Sequence, residues 1–185
     1  MSRKVVLYIA MSADGYIAKH DGNIDWLSVV DKPGEDYGYN DFVSTVDTVI
    51  MGRKTYDKVL SFGVDFPHKG RKCYVWSHSK TGGDENVTYY NGSLTDLIAK
   101  LKDEPGKNIF IDGGAETVAA LMKEDLIDNY IISIIPWFTG SGIRLFSSDM
   151  SEGRISLTRS LTFPTGLVQL WYGRTSSIVQ TSDIV

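Results

Sequence analysis

Val49-Ile50-Met51-Gly52-Arg53-Lys54-Thr55-Tyr56 changes character at its glycine. The residues before it, Asp47 to Met51, are β-branched and apolar, the composition of a buried strand. The residues after it, Arg53 to Leu60, lack Gly and Pro and set Tyr56, Val59 and Leu60 at helical spacing. Glycine at a strand-to-helix turn lets the backbone approach a ligand closely, and the unpaired N–H groups of the first helical turn make an anion site. Arg53 adds a planar cationic fork and Thr55 a hydroxyl, both suited to phosphate. The stretch therefore predicts a β–Gly–α unit that holds the phosphate of a nucleotide cofactor. Neither Gly-x-x-x-x-Gly-Lys-Ser/Thr nor Gly-x-Gly-x-x-Gly occurs in the chain, so another fold than the usual nucleotide folds has to hold it.

Working outward, Val5 to Ala10 is a nearly all-apolar run and predicts a central strand. Asp36 to Thr45 carries a helical stripe, Lys72 to Trp76 and Val87 to Tyr90 read as strands, and Ser93 as the N-cap of a helix to Leu101. Asn108 to Ile111 is a further buried strand, broken at Asp112-Gly113-Gly114 before a helix from Glu116 to Lys123. Asn129 to Ile135 is a strand stopped by Pro136, and Ile155 to Leu161 and Leu167 to Trp171 form a final antiparallel pair. Strands alternate with helices early and dominate late. That order predicts an α/β fold with a mixed, mostly parallel sheet, helices on both faces and a C-terminal antiparallel hairpin. In such sheets the ligand crevice lies at the carboxyl ends of the parallel strands, where the glycine-bearing junctions at Gly15, Gly52 and Gly113-Gly114 converge.

The chain's 185 residues suit one domain, expected over 1–175 with a C-terminal tail at 176–185. A net charge of −4 argues against a general nucleic-acid binder. No run reaches the length of a membrane span and no secretory leader is evident, so a cytoplasmic protein without membrane partners is expected. Three histidines with no close Cys/His pairing speak against structural zinc, and Cys73 reads as a buried structural thiol.

Together with Gly113-Gly114, the segment Ile50-Met51-Gly52-Arg53-Lys54-Thr55 resembles the dihydrofolate reductase fold, where a Met-Gly-Arg-x-Thr junction and a later strand–Gly-Gly–helix hold NADPH. Ile134-Ile135-Pro136 with Gly140-Ser141-Gly142 and Leu145-Phe146, and the opening Met11-Ser12-Ala13-Asp14-Gly15-Tyr16-Ile17-Ala18, are similar to the reductase domain of the bifunctional riboflavin-biosynthesis deaminase/reductase. The chain is most similar to stand-alone bacterial proteins carrying one such domain. The resemblance implies Arg53 at the 2′-phosphate of NADPH, Lys54 and Thr55 around its phosphates, and Gly52 as the close-approach glycine. It puts Ser77 and His78 beside the adenosine ribose, and Gly113, Gly114, Ala115, Glu116 and Thr117 on the pyrophosphate and nicotinamide side. The resemblance also implies that Ala10 and Ile17 flank the nicotinamide.

A proton donor is less defined. Counting back from Gly52 to the acidic residue of the folate enzymes lands on Asp36, with Asp14 and water as alternatives. Trp26, Tyr37, Tyr39 and Phe42 are either core residues or the lining of a flat heterocycle's pocket. The resemblance implies an NADPH-dependent oxidoreductase that passes hydride to a small heterocyclic, pterin- or pyrimidine-like, or carbonyl substrate. The alternative is a nucleotide- or pterin-binding protein without turnover. A homodimer is expected, with Trp137 or Phe138 near its contact.

Overall fold

The computed structural model describes residues 2–146, 150 and 152–175; the expected tail at 176–185 lies outside them. Its centre is β1 (Val5–Ser12), flanked by two parallel strands from the far half of the chain, β7 (Asn108–Gly113) and β8 (Asn129–Ile135). Beyond β7 come β3 (Val46–Gly52), β4 (Lys72–Trp76) and β6 (Thr88–Tyr90), all parallel, and then the two-residue β5 (Gly82–Gly83), antiparallel to β6. Beyond β8 the antiparallel hairpin β10 (Ile155–Thr162) and β11 (Val168–Arg174) closes the nine-stranded sheet, in the order β10-β11-β8-β1-β7-β3-β4-β6-β5. A separate pair, β2 (Tyr16–Ala18) and β9 (Ile143–Arg144), is antiparallel.

Side chains alternate along the central strands and split the core in two. Leu7, Ile50, Ile109, Ile111 and Ile132 face α3 (Leu94–Asp103) and α4 (Ala115–Lys123). Val6, Val49, Met51, Phe110 and Ile131 face Phe42 of α1 (Tyr39–Ser44) and Tyr56 of α2 (Arg53–Ser61). The mixed, mostly parallel sheet with helices on both faces is the expected architecture. Near-continuous burial explains why β1, β3 and β7 read as apolar runs rather than alternations.

One boundary differs from the reading above. α1 starts at Tyr39, not Asp36, because Tyr37 and Gly38 both take positive φ, 55° and 78°, which no helix continues. Asp36 stands outside the helix and accepts hydrogen bonds from the N–H groups of Gly38 and Asn40. Among the described residues no helix is long and apolar enough to cross a membrane.

Candidate functional site

Four carboxyl strand ends lie side by side. β1 delivers Ala10, β7 delivers Gly113, β3 delivers Gly52 opposite Trp76 of β4, and Ser77 follows directly. Two of these ends run straight into helices through the same local pattern, Gly52-Arg53-Lys54-Thr55 and Gly114-Ala115-Glu116-Thr117. The junctions interlock reciprocally. A Cβ on Gly52 would lie 2.8 Å from Thr117 Oγ1, and a Cβ on Gly114 would lie 2.9 Å from Thr55 Oγ1. Neither glycine has a positive φ, so proximity rather than backbone conformation requires it at both places. The preceding Gly113 is the one with φ +105°, and its peptide bond to Gly114 is cis.

With glycine at both N-caps, neither helix receives a side-chain cap, and the N–H donors of its first turn have no intrahelical acceptor. The Thr117 hydroxyl, fully buried between the junctions, also has no hydrogen-bond partner among the described residues. Two convergent uncapped helix starts form an electropositive, donor-rich floor. The residues present fit a phosphate-bearing cofactor.

The charged side chains here are already paired. Arg53 donates from Nε to Asp57 Oδ1 at 2.7 Å, one helical turn on, and among the described residues its Nη groups make no hydrogen bond. Lys54 Nζ lies 2.7 Å from Glu116 Oε1, tying the two junctions together across their rims. With their side-chain charges paired to each other, what Lys54 and Glu116 offer an anion is their backbone N–H groups. Ser77 is buried and its hydroxyl accepts from the N–H of Lys80, whereas His78 is exposed with its ring edge-on to Trp76 at 4.7 Å. Ala10 and Ile17 are half-buried apolar walls at the same end of the sheet.

The acidic candidates have structural partners. Asp36 is exposed, and donation from Asn40 and then Gly38 holds its carboxyl below the usual carboxylate range, which opposes proton donation. Asp14 spans two loops, accepting from Ser12 Oγ at 2.5 Å, Thr139 N at 3.0 Å and Gly140 N at 2.7 Å. Desolvation raises its pKa, but these hydrogen bonds win and hold it low. With Leu145 N donating to Gly15 O and the β2–β9 pair beside it, Asp14 pins the Ser12–Gly15 turn to the segment after β8. Of the four aromatics, Trp26 and Phe42 are core, Phe42 stacking on Tyr8 with centroids 4.7 Å apart. Tyr37 is tied by its hydroxyl to Val30 O and Thr165 Oγ1, and Tyr39 stands half-buried, edge-on to Tyr8.

Residues 71–169 match the family model described as the RibD C-terminal domain. The chain belongs to that family. Across 94% of its length it is 49% identical to the uncharacterized protein YwjB of Bacillus subtilis, covering 99% of that protein. It is 29% identical to YyaP, also uncharacterized and from the same organism, with 92% of this chain and 94% of that one covered. A solved structure from Shewanella sp. PV-4, named for riboflavin biosynthesis, superposes with a TM-score of 0.86 at 34% identity, covering 95% of this chain and all of that one. A diaminohydroxyphosphoribosylaminopyrimidine deaminase/5-amino-6-(5-phosphoribosylamino)uracil reductase from Thermotoga maritima shares the fold at 14% identity, with a TM-score of 0.71. That likeness covers 94% of this chain and 57% of the bifunctional protein. RibD C-terminal domains are reductase-like, and the dihydrofolate reductase-like architecture expected from the motifs is the one found.

Within this RibD C-terminal domain, two residues at the carboxyl end of β7, next to the junctions, carry a pairing that the sequence reading leaves out. Asp112 ends the apolar run Ile109-Phe110-Ile111, one residue before the glycine pair, and its side chain is 22% exposed. His68, from the loop after α2, lies buried beneath it with Nε2 3.1 Å from Asp112 Oδ2. An acid closing a buried strand was a signal available in the sequence, because a carboxylate there has to face a ligand, a partner or solvent. The loop Phe66-Pro67-His68-Lys69-Gly70 offered no comparable cue.

Proposed function

We propose that this RibD C-terminal domain is an NADPH-dependent reductase passing hydride to a small heterocyclic, pterin- or pyrimidine-like, or carbonyl substrate. The observation that carries the proposal is the interlocked pair of Gly-x-x-Thr junctions beside Arg53. The N–H groups of both helix starts would hold the pyrophosphate. The guanidinium edge of Arg53 not taken by Asp57 would receive the 2′-phosphate. Bound NADPH supplies the hydride, while Ala10 and Ile17 shape an apolar wall for the nicotinamide and keep water from it. Calorimetric titration of the purified protein with NADPH and NADH is expected to show clearly tighter NADPH. Tighter NADH, or no binding of either, ends the proposal.

A ligand-binding role without turnover is the second reading, favoured by the engagement of Asp36 with its own loop. Following NADPH absorbance across pterins, pyrimidines and quinones separates the two. Saturable binding with no oxidation by any of them supports the second.

Self-association into a homodimer belongs to the same proposal. Its support is that Trp137 and Phe138, just past β8, are 42% and 78% exposed, more apolar surface than one strand end normally leaves open. Light scattering at micromolar concentration is expected to give about twice the 20.6 kDa chain mass. A value near 20.6 kDa rules the dimer out. A dimer that survives both Trp137→Ser and Phe138→Ser has its contact elsewhere.

A further inference from the structure

The His68–Asp112 pair has a feature that packing alone does not account for. His68 is 1% exposed, its Nε2 meets the carboxylate, and its Nδ1 is buried with no hydrogen-bond partner among the described residues. A carboxylate only accepts, so Nε2 carries the proton. An imidazolium would add an unpartnered N–H⁺ among apolar rings, with Phe66 and Phe110 edge-on at 5.5 and 5.7 Å. The hydrogen bond needs only the neutral Nε2–H form, in which Nδ1 stays a bare, unpartnered acceptor.

The cation near the Asp112 carboxylate is Arg71, whose charge opposes that of Asp112 at both Tyr39 and Cys73. Burial, and after it the charge of Asp112, push the Tyr39 phenol up to about 12. Burial likewise puts the Cys73 thiol at about 11, against the opposing pull of Arg71. Both groups are therefore neutral near pH 7. Arg71 donates to Val43 O at 3.3 Å and forms no ion pair with Asp112 among the described residues. The Asp112 carboxylate stands at the carboxyl end of β7, adjacent in sequence to Gly113, which the NADPH reading puts on the nicotinamide side.

We propose that His68 is a positioning residue. It holds Asp112 with its charge turned to the crevice, and this charge favours the oxidised, cationic nicotinamide over the reduced, neutral one. The inference rests on the NADPH reading given above. When hydride leaves to the substrate, a C–H bond of the dihydronicotinamide breaks and its electron pair goes with the hydrogen. The ring is left oxidised with one positive charge, and the reduced substrate takes its proton from solvent. A negative charge preset near the ring lowers the energy of that developing cation without reorganising during the step.

The effect is readable without knowing the substrate, as the ratio of NADP⁺ to NADPH dissociation constants in calorimetric titrations of the full chain. Asp112→Asn keeps the shape and removes the charge, so the ratio is expected to rise about tenfold, the effect of one charge several ångströms away in a partly shielded site. His68→Leu, which removes the donor, should raise the ratio about threefold. His68→Gln, whose amide restores an N–H, should return it to the wild-type value. Asp112→Ser serves if Asp112→Asn does not fold by circular dichroism. Wild-type protein that binds neither cofactor overturns the NADPH reading and this inference with it. Cofactor binding with an unchanged ratio in the Asp112 variant overturns the inference alone. A His68→Gln protein that behaves as His68→Leu makes the role of His68 one of packing.

Discussion

Gly52→Ala is expected to lower stability by about 2 kcal/mol, and in a Thr117→Ala background to cost less than about 0.5 kcal/mol. At φ −77° and ψ 157° alanine is as comfortable as glycine, so backbone strain contributes nothing. The penalty comes from one methyl placed 2.8 Å from Thr117 Oγ1, with Gly114 N at 3.6 Å and Gly113 O at 3.8 Å behind it. Neither neighbour can retreat, because both belong to the start of α4 and its strand. Shortening Thr117 clears the space, and its hydroxyl leaves no partner stranded because it has none. Urea unfolding of the four proteins in the cycle measures the coupling. Strictly additive losses would mean that the two junctions do not touch as described. In the single variant NADPH affinity should also fall, since the methyl forces apart the helix starts that would hold the pyrophosphate. Gly114→Val works from the other side, where the added carbon meets Thr55 Oγ1 before any ligand.

Arg53→Ala should weaken NADPH ten- to a hundredfold, about 1.4–2.7 kcal/mol, while changing NADH less than about twofold. The asymmetry follows from geometry. Among the described residues the guanidinium pairs with Asp57 alone, its neighbour one turn along the same helix, and both groups are partly exposed, so their pair adds little to stability. Removing it leaves the fold intact and takes away a charge that only a 2′-phosphate would meet. Paired titrations at one ionic strength decide the matter. Equal losses for both cofactors would reassign Arg53 to the pyrophosphate, and no loss for either would remove it from the site.

The strand–Gly–helix units were legible because each rests on local composition, an apolar β-branched run, a glycine and a helix former. The parallel-then-antiparallel order was legible for the same reason. Hidden were contacts between distant segments. Nothing near Gly52 announces that its neighbour is Thr117, and nothing near Phe66 announces that His68 will sit under Asp112. Asp36 was read as part of a helix because its stripe continues through Tyr37 and Gly38, and periodicity does not register a positive φ. The two-residue β9 escaped because its pairing with β2 depends on loops that the Asp14 carboxylate gathers. The topology of parallel sheets supplied what local composition lacked, namely that the junctions at Gly52 and Gly113-Gly114 face one crevice.

The place of β1 in the sheet sets a timetable for synthesis. Val5 pairs with Ile109 and Ser12 with Ile135, so the most apolar strand leaves the ribosome long before either neighbour exists. Local helices and the β3–β4 unit form meanwhile, but the sheet cannot close until β8 has emerged. A topology in which the first strand waits for the last third of the chain has high contact order and folds slowly. During that wait Val5-Val6-Leu7-Tyr8-Ile9-Ala10 is an exposed, uncharged β-former, the kind of segment that chaperones shield and that aggregates when they do not.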